Sequence, residues 1–196
     1  TDDIAGPFQF SEKLVNKNEL RTTITLSDFF DASVDGKDTP TGMKIRTEGQ
    51  TYYPDGLQKV ELTDGVSVAT STSTSQGGSD DVPMIYLDYG DKGVYAALEW
   101  PTGSMLAKRN GDSIKMSVYF PNFTTRVDGQ TALEIPTVYF GTYNGDIEEG
   151  SNAFKRWFYN TKSPKLLREN PNEPLTQMDM QVGLEVDRVG GIESVK

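Results

Sequence analysis

The chain has 196 residues, with 19 Lys and Arg against 29 Asp and Glu, for a net charge of −10 at neutral pH. That acidity makes nucleic acid and anionic membranes poor partners, and no run in the sequence approaches the roughly 18 apolar residues of a membrane span. Cys and His are both absent, which excludes disulfides, thiol nucleophiles, His-dependent triads and Cys- or His-ligated metals.

Taken in order, the first 140 residues or so read as strands and turns. The start, TDDIAG, has neither Met nor signal peptide and looks processed or cut. Leu20 to Leu26 alternates and is rich in Thr and Ile, a strand pattern. Asp31 to Thr41 reads as a polar loop. Gly42 to Glu48 and Thr51 to Tyr53 read as short strands before a Tyr53-Pro54-Asp55-Gly56 turn. Leu57 to Leu62 and Val66 to Thr70, joined by Thr63-Asp64-Gly65, predict a hairpin.

Ser71 to Asp81 is a low-complexity polar loop. Met84 to Tyr89 and Val94 to Trp100 flank Gly90-Asp91-Lys92-Gly93 and predict a hairpin central to a sheet. Pro101 then breaks the ladder, because it has no N–H to donate. Ser104 to Lys108 and Ser113 to Phe120 flank an Asn110-Gly111 turn, and Leu133 to Phe140 completes the series. Short strands at this spacing predict a mainly β, antiparallel sandwich.

One helix follows, over 146–162. Asp146 is an N-cap with Glu149 at capping-box spacing. Ile147, Gly150, Phe154, Trp157 and Phe158 then recur at helical period. Acidic residues open the helix, basic ones lie toward its end, and Pro164 stops it. Phe154, Trp157 and Phe158 are the expected structural anchors, with sugar stacking the alternative role for Trp157.

Residues 165–174 form a charged linker with two prolines. Leu175 to Gln181 reads as one more strand, and Val189, Ile192 and Val195 begin an amphipathic segment. The expected organisation is a sandwich over 1–164 with its docking helix, the linker, and the start of a truncated second domain over 175–196. The acidic pairs Asp80-Asp81 and Glu148-Glu149 read as solvated faces, since adjacent side chains diverge. Asp35, Asp38, Asp88 and Asp91 lack EF-hand spacing, so neither metal nor cofactor is expected. A stand-alone carbohydrate-binding or adhesion sandwich would need an exposed aromatic platform or an unrelated surface role.

Leu87 to Gly103 (LDYGDKGVYAALEWPTG) and Tyr139 to Pro164, with Gly145, Asp146, Gly150, Asn152, Lys155, Arg156 and Trp157 at the motif positions, resemble the N-terminal β-supersandwich of glycoside hydrolase family 36 α-galactosidases and α-N-acetylgalactosaminidases. The resemblance implies a sandwich that leads into a (β/α)8 barrel. It also implies retaining cleavage of terminal α-galactosides or N-acetylgalactosaminides by two Asp carboxylates about 5–5.5 Å apart. That pair would lie in the barrel beyond Lys196, so this chain holds no catalytic residue of its own. Trp100 at the turn and Asp179 near a barrel strand's C-terminal end are the substrate-pocket candidates, against packing for Trp100 and a solvated role for Asp179. The implied partners are carbohydrate, the missing barrel and a second copy of the chain in an oligomer. The absence of Cys fits either side of a membrane, so the sequence leaves the compartment open: soluble, cytoplasmic or secreted.

Overall fold

The computed structural model describes residues 6–46, 56–70, 81–99 and 103–162. The chain falls into two units, Thr1–Trp157 and Phe158–Lys196. The described strands all lie in the first: β1 Phe8–Phe10, β2 Lys13–Val15, β3 Thr22–Asp35, β4 Thr41–Arg46, β5 Leu57–Glu61, β6 Ser67–Ala69, β7 Asp81–Asp88, β8 Lys92–Leu98, β9 Ser104–Asn110, β10 Ser113–Val127, β11 Ala132–Glu134 and β12 Val138–Asn144. The helix α1 spans Ile147–Thr161. The expected strand at 51–53, the polar segment at 71–80, the linker and the barrel start lie outside the described residues.

The strands form an antiparallel six-stranded sheet ordered β1-β12-β8-β7-β4-β5 and a four-stranded sheet ordered β3-β10-β9-β6, with a small β11-β2 ladder. The β7–β8 hairpin sits at the centre of the larger sheet, as its two apolar runs predict. Alternation along these strands has two consequences. Ile85, Leu87, Ala96, Leu98 and Val138 point into the core between the sheets, with Met105, Ile114 and Met116 facing them. Met84, Tyr86, Tyr95, Ala97 and Tyr139 point the other way and form a second core with Trp157. Strands buried on both faces read as nearly continuous apolar runs, which is what 84–89 and 94–98 look like.

Four details differ from the sequence reading. β3 runs on to Asp35, through the first part of the expected polar loop. Phe30 and Val34 pack inward, while Asp31 on the outer face bonds to Lys115 at 2.9 Å, so a polar-looking segment has one packed side. β5 and β6 are not a hairpin: β5 pairs with β4 and β6 with β9, in different sheets. Their Asp64-Gly65 turn is bonded instead to the β9–β10 end, through Gly65 N–H to Arg109 O at 3.2 Å and Gly111 N–H to Asp64 Oδ1 at 2.7 Å.

The expected strand 133–140 is cut by Pro136 into β11 and β12, which belong to different sheets. β10 is longer than expected and carries Pro121. There the register with β3 shifts between Tyr119 and Phe123, the bulge a missing N–H requires.

Candidate functional site

The outer face of the six-stranded sheet is built to receive a helix. Tyr95 on β8 faces Gly141 across the strands, and Tyr143 on β12 faces Gly93. Each phenol ring covers the glycine opposite: a Cβ placed on Gly141 would lie 2.4 Å from the Tyr95 ring. Asp146 starts α1 through its Oδ1, which accepts the Glu149 N–H at 3.0 Å. Gly145, at φ +89°, makes the turn into the helix. The Glu149 carboxylate folds back onto Gly145, the reach of a capping box.

Gly150 sits on the Tyr143 ring, where a Cβ would be 2.6 Å from Cγ. Phe154 meets Tyr95 edge-on at 5.3 Å, and Trp157 meets Tyr139 edge-on at 5.4 Å. Gly6 closes over the indole.

This aromatic layer controls the ionisation of its own phenols. Burial, helped by the neighbouring Tyr86, pushes Tyr95 up to about 12. Burial, with the Glu99 charge behind it, raises Tyr139 to about 12. Tyr143 is raised further by burial and by the carboxylates of Asp88 and Asp146, and its hydroxyl makes no hydrogen bond. Phenols held this far from neutrality serve packing, not proton transfer.

A cleft of about 660 Å³ runs along the flank of α1, walled by Thr142 and Asn144 on one side and Glu149, Asn152 and Arg156 on the other. A second, of about 300 Å³, opens by the same β12 residues and is walled by Asp35, Tyr89 and Lys92. Among the described residues no group of three or more acidic side chains is placed to hold a metal. The arrangement offers amide, hydroxyl and guanidinium groups for binding, and Glu149, its carboxylate in the wall, is turned back to the helix start.

Of the residues singled out from sequence, Trp157 is buried and Phe154 packs against the same cluster. Phe158, at 39% exposed, stands at the edge of the stripe. Trp100 and Asp179 lie outside the described residues. Sequence reading missed the cleft. Its signal was the i, i+3, i+7 spacing of Glu149, Asn152 and Arg156 beside the aromatic stripe.

No family model matches the sequence, and no curated protein matches it. Solved structures do. The galactosidase domain of the α-galactosidase-sucrose kinase AgaSK superposes with a TM-score of 0.60 at 11% identity, over 74% of this chain and 21% of that one. This chain has the fold of an α-galactosidase segment.

A substituted family 36 α-galactosidase AgaA from Geobacillus stearothermophilus, in complex with stachyose, matches at 0.62 and 11% identity, over 80% of this chain and 23% of its own. The α-galactosidase from Lactobacillus brevis matches at 0.57 and 10%, over 74% and 20%. The chain thus spans about a fifth of the length of these α-galactosidase structures. Among the described residues no helix is long and apolar enough to cross a membrane.

Proposed function

We propose that this chain is the non-catalytic N-terminal sandwich domain of a retaining glycoside hydrolase of the α-galactosidase type. In this reading it packs on a catalytic barrel and shapes its sugar pocket. The observation that carries the reading is the fold this chain shares with α-galactosidase structures over 74–80% of its length. Trp100, just past β8, and Asp179 are the residues that would reach the sugar, a terminal α-galactoside or N-acetylgalactosaminide. The catalytic Asp pair belongs to the barrel.

The rival reading is a free-standing carbohydrate-binding or adhesion sandwich. The outer face of the four-stranded sheet speaks against sugar binding there. Lys115 and Lys108 pair across the strands with Ser33 beside them, and Tyr119 is the one aromatic at an outward position among the described residues of that sheet. Platforms that stack sugars use several exposed rings.

Incubation of the 196-residue chain with nitrophenyl α-galactoside tests the assignment. No turnover is expected, and turnover would overturn the claim that the catalytic pair lies elsewhere. Saturable binding of the chain alone on a glycan array would favour the rival.

A further inference from the structure

Among the described residues the edge of β12 is paired along only half its length, where β1 meets Val138, Tyr139 and Phe140. The described pairing ends at Phe8, and Gly6, two residues back, lies against Trp157.

The direction of the remaining backbone groups follows from the ladder with β8. Glu99 N–H bonds Thr137 O at 2.9 Å, and Gly145 N–H bonds Asp91 O at 2.7 Å. With Tyr139 opposite Ala97, Gly141 opposite Tyr95 and Tyr143 opposite Gly93, the odd-numbered residues of β12 exchange their bonds with β8. In an antiparallel ladder the alternate residues then face outward. Thr142 and Asn144 therefore present N–H and C=O groups to the open side, and both residues are exposed. An unpaired edge of this kind templates another strand.

The 660 Å³ cleft lies above that edge. The Arg156 guanidinium and the Asn152 amide in its wall make no hydrogen bond or ion pair within the described structure. The second cleft opens by the same β12 residues. A strand added at Thr142 and Asn144 would have room for its alternating side chains, the geometry by which β-augmentation gains specificity. Arg156 decides which side chain suits the upper cleft, because a guanidinium binds a carboxylate through two parallel bonds.

We propose that the free edge of β12, with Arg156 above it, is a docking site for an extended peptide segment bearing an Asp or Glu side chain. The site does not rest on the glycosidase reading and would stand if that reading failed.

The isotope-labelled 196-residue chain, titrated with the peptide acetyl-Thr-Val-Asp-Val-Thr-amide, tests this. Saturable shifts of the Thr142 and Asn144 backbone amides are expected. The same peptide with Lys in place of Asp should leave them unmoved. Arg156→Gln, on the exposed helix surface, should weaken binding by roughly tenfold or more, whereas Lys155→Gln, outside the cleft, should not change it. The proposal is overturned if neither peptide gives saturable shifts, if both peptides bind alike, if R156Q binds as well as the parent, or if the shifts fall only on residues away from β12 and α1.

Discussion

The ring of Tyr143 covers the backbone of Gly93, its partner across β8 and β12, so closely that a Cβ there would lie 2.1 Å from Cζ. The Cγ end of the same ring carries Gly150 of the helix. One side chain thus touches both a strand glycine and a helix glycine, and limits how closely α1 approaches the sheet. Gly93→Ala should force the ring or the helix aside and cost about 1–3 kcal/mol, as overpacking does. Urea unfolding of the variant measures it, and an unchanged midpoint would mean that the ring moves freely.

The Tyr143 hydroxyl is buried without a hydrogen-bond partner. Tyr143→Phe keeps the ring and removes an unsatisfied group whose burial costs about 1–3 kcal/mol. The expected outcome is a variant at least as stable as the parent, by thermal melting. A drop of several degrees would reveal a bond to the phenol oxygen.

Trp157 is 7% exposed, held between Tyr139 and Phe154. Trp157→Ala should cost about 3–5 kcal/mol, the usual loss for a buried large aromatic. Chemical denaturation followed by far-ultraviolet circular dichroism reads it directly. Stability equal to the parent would show that the helix contributes nothing to the second core.

Alkaline pH should unfold the protein through its tyrosine layer. Tyr95 and Tyr139 stay neutral in the folded chain up to about 12, whereas unfolded tyrosines ionise near 10. Between those values the folded state holds protons that the unfolded state has lost, so stability falls as pH rises. Their contribution is complete below about pH 10 and declines by up to about 1.4 kcal/mol per pH unit for each phenol. A denaturation series across this window, with phenolate absorbance as a second readout, should show the decline. Tyr95→Phe should flatten it, and a series level from pH 10 to 12 would refute the burial of these groups.

Much of the fold was legible before any coordinates. The β7–β8 and β9–β10 hairpins follow from apolar runs around Gly-rich turns, and the Asp146 cap with its Glu149 partner announced the helix. The β5–β6 hairpin was misread, because an Asp-Gly turn specifies a reversal of the chain but not which sheet receives the next strand. The buried Leu62 and the bonds from Gly65 and Gly111 to the neighbouring turn send β6 across the sandwich. Pro136 was visible in the run 133–140, yet only its position between two sheets shows that it ends one ladder and begins another.

The sequence by itself determined the antiparallel class, the capped helix at 146–162 and the aromatic stripe that helix buries, since each is encoded within a few neighbouring residues. Only the tertiary structure decided that Gly93 and Gly141 lie beneath tyrosines, and that half of the β12 edge is unpaired among the described residues, beside Arg156. Those facts depend on which distant strands align and in what register. Register is a property of paired segments, set by long-range packing that no local pattern contains.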